Sequence, residues 1–330
     1  MTMFATRLFA ALSLVLALAV AAPVAEAQAI NPTAKSVTED ALFEALRPGT
    51  AVAGRVSIPD PAAAGLIKPD NKGWAATHTG TVRTLSIWAV LGTVAVLALF
   101  YLVRGKIRID SGRSGRTITR FGAVERFAHW LMAVTFILLA LTGLNLVLGR
   151  SVVMPLIGES AFGTLSAWGK VVHNYIGFAF MLGLALAFLV WVGRNLPKAH
   201  DAAWIAQGGG LLKKGVHPPA GKFNAGQKLI FWSVVLGGAA LSFTGVMLLF
   251  PWLAGTPADW HFYQLIHGIV AAVLSAIILA HIYIGSVGME GAFDAMGSGE
   301  VDENWAKEHH SLWVEEVRGT KGGRAATPAE

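Results

Sequence analysis

Residues 262–287 read FYQLIHGIVAAVLSAIILAHIYIGSV, twenty-six residues without one Asp, Glu, Lys or Arg. At 1.5 Å of rise per residue the stretch is long enough, as a helix, to cross a hydrocarbon layer of ~30 Å. Its two histidines, His267 and His281, are therefore expected at membrane depth, where an ionisable group is costly and marks function by default. They are fourteen residues apart, which on a helix is about 21 Å of rise and within about 40° of one face. One helix can thus present an imidazole at each of two levels.

The rest of the chain carries the same signature. It is 54% hydrophobic and 14% charged, with a mean hydropathy of +0.56, too apolar for a soluble domain of 330 residues. Four further spans are read at about 85–103, 127–148, 171–192 and 229–250. The fold expected is all-α and integral to the membrane: a transmembrane helical bundle with a four-helix core over 105–289 and one additional N-terminal span at 84–104. Arg104, Lys106, Arg108, Arg113, Arg116 and Arg120 crowd the end of the first span. Arg194, Lys198, Lys213, Lys214, Lys222 and Lys228 follow the third, whereas 251–261 holds neither Lys nor Arg. By the positive-inside rule the basic loops and the polar tail 290–330 are cytoplasmic.

Arg7, the apolar run Leu8 to Val24 and Ala25-Glu26-Ala27 have the three regions of a secretory signal, so 1–27 is read as an export signal, cleaved or retained as a helix. Residues 28–83, punctuated by Pro32, Pro48, Pro59, Pro61 and Pro69, are read as an exported periplasmic arm that docks on a partner. The location expected is a bacterial inner membrane. The net charge of +6 is explained by basic residues beside apolar helices, so no nucleic-acid partner is expected, only lipid and protein. Cysteine is absent, which removes iron–sulfur ligation, disulfides and covalent haem attachment from this chain. A redox group would be held by histidine, methionine or packing.

Depth sorts four histidines into two pairs. His129 opens the second span and His281 lies towards the end of the fifth, at the basic end; His173 and His267 lie at the opposite end. Two imidazoles from different helices supply the two axial bases of a low-spin haem iron, so His129/His281 and His173/His267 are the expected ligand pairs of two haems b. Gly143, Gly177 and Gly268 lie near these positions and offer room for a porphyrin or for helix packing. A weak repeat accompanies them: Trp130 precedes Thr142-Gly143 by twelve residues, and Trp232 precedes Thr244-Gly245 by the same interval. In that register Phe231 matches His129 and Ala187 matches His281. His78, His200, His217, His309 and His310 fall in loops or tails and are expected to be solvated, and His261 is a competitor for the outer site.

Arg126-Phe127-Ala128-His129-Trp130, His173-Asn174-Tyr175-Ile176-Gly177 and the loop Lys222-Phe223-Asn224-Ala225-Gly226-Gln227-Lys228 carry a family resemblance. With Leu265-Ile266-His267, Ala280-His281-Ile282-Tyr283 and Trp305-Ala306-Lys307-Glu308-His309-His310, the chain resembles, over about 120–318, the gamma (cytochrome b) subunit of respiratory formate dehydrogenase. The resemblance implies an outer haem on His173/His267 nearest an iron–sulfur beta subunit, and an inner haem on His129/His281. It implies a menaquinone or ubiquinone site at the inner haem, with Asn224 hydrogen-bonding the quinone and Gln227 as a further candidate. Formate oxidation would belong to a separate alpha subunit bearing molybdenum or tungsten; this chain has no catalytic residue of that step. Asn224 also suits a helix N-cap, a role compatible with the first. The export signal, arm and extra span depart from the short form of the family. Rival expectations are a cytochrome of a hydrogenase or another periplasmic oxidoreductase, and a membrane anchor without redox function.

Overall fold

A computed structural model of the chain describes Trp74 and residues 77–324; the signal at 1–27 and most of the arm at 28–83 lie outside the described residues. Five helices are long and apolar enough to span a membrane. We label them α1 (Gly80–Arg104), α2 (Ala123–Val152), α3 (Glu159–Trp191), α4 (Ala225–Leu249) and α5 (Pro257–Tyr283). Outward-facing side chains such as Leu102 (82% exposed) and Leu189 (72% exposed) are apolar, as contact with lipid requires.

The helices overrun the apolar windows. Helix α3 begins at Glu159, twelve residues before the stretch read as a span, so His173 sits well inside the helix rather than near its start. Hydropathy registers the mixed residues of 159–170 as the end of a span, whereas helix propagation depends on backbone hydrogen bonds and continues through them. Helical backbone also starts at Thr77, inside the stretch assigned to the arm, and includes π-helical turns at Thr77–Val82 and Trp88–Gly92. Local capping fixes two of the starts. Asn224 Oδ1 accepts from Gln227 N (2.9 Å) at α4, and Thr256 Oγ1 accepts from Asp259 N (3.3 Å) at α5.

Helices α2 and α3 form one hairpin and α4 and α5 a second, with α4 packed on α3 and α1 lying along α5. Glycine sets two of these approaches. A Cβ on Gly183 of α3 would come 2.9 Å from Met132 N of α2, and one on Gly268 of α5 would come 2.7 Å from Val82 Cγ1 of α1. Gly268 therefore serves packing between α1 and α5 and gives no room to a porphyrin. Phe136 (α2), Phe180 and Leu184 (α3), Val234 (α4) and Leu274 (α5) close an apolar layer at the centre of the bundle.

At the basic end the tail folds back. Strand β1 (Thr117–Thr119) pairs antiparallel with β2 (Glu300–Asp302), and the helices Glu303–His309 and Ser311–Arg324 follow. Trp305, Trp313 and Val314 join Phe121, Trp191, Phe223 and Phe231 in a second core beneath the bundle. The tail is therefore a docked element and not a solvated appendix. Within the tail read as polar, three apolar side chains, Trp305, Trp313 and Val314, are buried against distant partners.

Candidate functional site

Each level of the bundle brings one pair of imidazoles together. The ring centres of His173 and His267 are 6.2 Å apart with planes at 62°, and those of His129 and His281 are 6.2 Å apart at 60°. A nitrogen about 2 Å from a metal, with the ring centre about 1.1 Å behind it, places two opposed imidazole centres roughly 6 Å apart. Both spacings therefore fit a single iron held between two rings. Leu274 lies seven residues from each histidine of α5, so the apolar layer it joins stands midway between the two levels.

The repeat read in the sequence has a structural counterpart. Thr142 Oγ1 lies 2.8 Å from His173 Nδ1, and Thr244 Oγ1 lies 2.9 Å from His267 Nδ1, each within its own hairpin. The glycines that follow border the same rings: a Cβ on Gly143 would be 3.4 Å from His173 Cε1, and one on Gly245 would be 3.5 Å from His267 Cε1. The tryptophans work between hairpins. Trp232 Nε1 donates to Asn195 O after α3 (3.0 Å), and Trp130 Nε1 donates to Met296 O beyond α5 (2.9 Å). Where the register replaces a histidine, the substitutes Ala187 and Phe231 are buried among the residues of the basic end.

The inner pair opens into a cavity of about 760 Å³ whose lining includes His129, His281, Asn224, Gln227, Trp204 and His309. The size is that of a site for a drug-sized or cofactor-sized ligand. Asn224 uses Oδ1 as the cap acceptor, which leaves its Nδ2 donors outside the cap. Gln227 Oε1 accepts from Asn224 N (3.1 Å) and from Arg120 Nη2 (3.2 Å). Arg120 also donates to Lys222 O (2.7 Å) and stacks over Phe121 and Trp305, so it ties the loop to the tail. Nothing in its sequence context separates it from the neighbouring topology-setting arginines. Gly226 has a packing reason within its motif, since a Cβ there would meet the Trp204 ring at 2.8 Å.

The remaining histidines divide. His310 is 1% exposed and its Nδ1 donates to Gly221 O (2.8 Å); His309 lines the cavity with a buried Nε2. The expectation that both are solvated is corrected, and the docked tail is the reason. His217 and His200 are partly exposed, the former 3.0 Å from Asp110 Oδ2. His261 stacks on Trp74 at 4.7 Å and 7°, and so has a partner other than the outer imidazoles.

A membrane bundle that clasps buried imidazoles two by two across its helices defines a b-type cytochrome of the multi-pass kind. The profile of one such family, described as prokaryotic cytochrome b561, matches residues 120–299, and the chain belongs to that family. Membership makes haem b the cofactor. Among curated proteins, the chain is 32% identical over 208 residues to the cytochrome b556(Fdn) subunit of the nitrate-inducible formate dehydrogenase of Escherichia coli K12, covering 61% of this chain and 92% of the relative. It is 29% identical over 213 residues to the cytochrome b556(fdo) subunit of formate dehydrogenase in the same organism, covering 63% and 97%. A formate dehydrogenase cytochrome b556 subunit of Haemophilus influenzae is 28% identical over 210 residues, covering 60% and 83%.

Proposed function

We propose that the chain is the membrane cytochrome b subunit of a respiratory formate dehydrogenase, passing electrons through two b haems to menaquinone or ubiquinone. The observation that carries this is the pair of matched imidazole clasps at two levels of one bundle, with α5 contributing a ring to each. His173 and His267 would hold the outer haem, and His129 and His281 the inner one. The relatives' names supply formate as the electron source and a dehydrogenase as the assembly.

Bound haem supplies one-electron chemistry; the protein supplies the rest. His173 with His267 and His129 with His281 would hold the irons, and the apolar layer of Phe136, Phe180 and Leu274 fills the interval between the two levels. At the inner level Asn224 offers Nδ2 to a quinone carbonyl, while Gln227 and Arg120 hold the loop in place. With the basic loops cytoplasmic, quinone takes its protons from that side. Electrons would enter at the outer level from an iron–sulfur beta subunit, supplied by formate oxidation at the molybdenum or tungsten site of an alpha subunit.

Reduced-minus-oxidised spectra of the purified chain test the haems: a b-type alpha band is expected, and its absence would end the proposal. In His173→Ala one haem is lost and in His129→Ala the other. Formate added to membranes holding the complex should reduce both; haems that stay oxidised would point to a hydrogenase or another dehydrogenase as partner.

A further inference from the structure

We infer that Thr142 and Thr244 are positioning residues that hold the outer iron site at a lower reduction potential than the inner one, giving electrons a downhill order within this chain. The inference rests on the haem ligation proposed above.

Each threonine hydroxyl faces two backbone carbonyls and one imidazole; Thr142 Oγ1 is 3.1 Å from Leu139 O and Thr244 Oγ1 3.3 Å from Leu241 O, besides the shorter carbonyl bond of each. Thr142 Oγ1 lies 2.7 Å from Leu138 O and Thr244 Oγ1 lies 2.7 Å from Ala240 O, and a carbonyl can only accept, so both hydroxyl protons point there. The hydroxyl oxygen then accepts from the imidazole, and His173 and His267 carry their protons on Nδ1. Nε2 is left as the lone-pair donor towards the iron. An acceptor on Nδ1–H draws that proton outward and makes the ring a stronger donor through Nε2, which favours the more oxidised metal.

The inner pair lacks this arrangement at one of its rings. His129 Nδ1 is buried without a hydrogen-bond partner among the described residues, with the Trp130 and Trp191 rings beside it at 5.2 and 6.4 Å. Two strengthened donors at one level and at least one unassisted donor at the other set the potentials apart in the direction stated. A threonine bonded one turn back is common in apolar helices and need not act on any metal. Thr135 is such a case: it bonds Leu131 O (2.7 Å) and Met132 O (3.1 Å) and, among the described residues, no imidazole. It serves as the control.

The test is a spectroelectrochemical titration of the haem-loaded complex carrying Thr142→Val, Thr244→Val or both, which remove the hydroxyl and keep the branched shape. The midpoint of the lower-potential component should rise in each single variant and rise further in the double, with haem content unchanged. The other component should hold its place. Thr142→Ser and Thr244→Ser should restore the original midpoint, and Thr135→Val should move neither. If a valine variant loses haem, the smaller Thr142→Ala and Thr244→Ala carry the measurement. Unmoved potentials, a shift confined to the higher-potential component, or loss of that component in His173→Ala would overturn the inference. A wild-type complex without a b-type band would instead overturn the ligand assignment beneath it.

Discussion

Asn224 caps α4, and under the proposed function it also serves the quinone; its atoms separate the two tasks. The cap needs Oδ1 as an acceptor, whereas a quinone carbonyl needs the Nδ2 donors. Asn224→Asp keeps the first and deletes the second, so it should retain both haems and the thermal stability of the complex while slowing quinone reduction by tenfold or more, on the order of one lost hydrogen bond. Asn224→Ala should in addition cost about 1 kcal/mol through the lost cap, read as a lower melting temperature in detergent. Equal quinone kinetics in wild type and Asn224→Asp would remove Asn224 from the quinone site. At this scale the four ligand candidates were legible because an imidazole inside an apolar run has few innocent explanations. Arg120 was not, since its burial comes from the tail, Phe121 and Lys222, partners that no local pattern names.

Elements joined by glycine or by a buried ion pair have identifiable points of failure. On α5, Gly268→Leu would drive a side chain into Val82 of α1 and should loosen that helix at a cost of about 1–3 kcal/mol, read as a lower melting temperature in detergent. A melting temperature equal to wild type would show that the close approach of α1 and α5 at Gly268 carries no stability. Lys228 of α4 and Asp201 of the helix Ala199–Ala206 form a buried pair at 2.6 Å. Burial raises the Asp201 carboxyl pKa, but the Lys228 hydrogen bond, the Lys198 amide and the Lys228 charge outweigh it and hold the group below the ordinary carboxylate value. Lys228→Met should destabilise the complex by about 3 kcal/mol, because it leaves a buried carboxylate without its cation; a melting temperature matching wild type would refute this. The spans themselves were readable from hydropathy to within a few residues, except where α3 continues through 159–170. The Trp130/Trp232 and Thr142/Thr244 offsets were visible as a repeat, yet their purpose was not. Which carbonyl or imidazole each side chain meets is decided by the packing of two hairpins.

For the whole molecule, the docked tail makes acid stability a histidine property. Burial first, then the nearby Arg120 charge, holds the His310 imidazole well below its ordinary value, and burial lowers His309 to about 4. Both are neutral in the folded state, so their contribution is complete above the unfolded value of about 6.5 and is lost progressively as pH falls below it. Melting temperatures in detergent should therefore fall between pH 7 and pH 5, and His310→Asn should flatten that slope; an unchanged slope would place the acid sensitivity elsewhere. Carboxylates such as Asp201 and Asp302, whose values are depressed, act only at lower pH, below about 4. The interval between His267 and His281 has a separate consequence for the lineage of this protein. Two heptads of one helix act as a ruler, and a helix cannot be shortened or lengthened by one residue without turning one end through about 100° relative to the other. Insertions and deletions can accumulate in the loops and termini, but between these two positions a change must come in multiples that restore the face. The spacing of the two imidazole levels thus changes in steps of one helical turn, about 5 Å, rather than continuously.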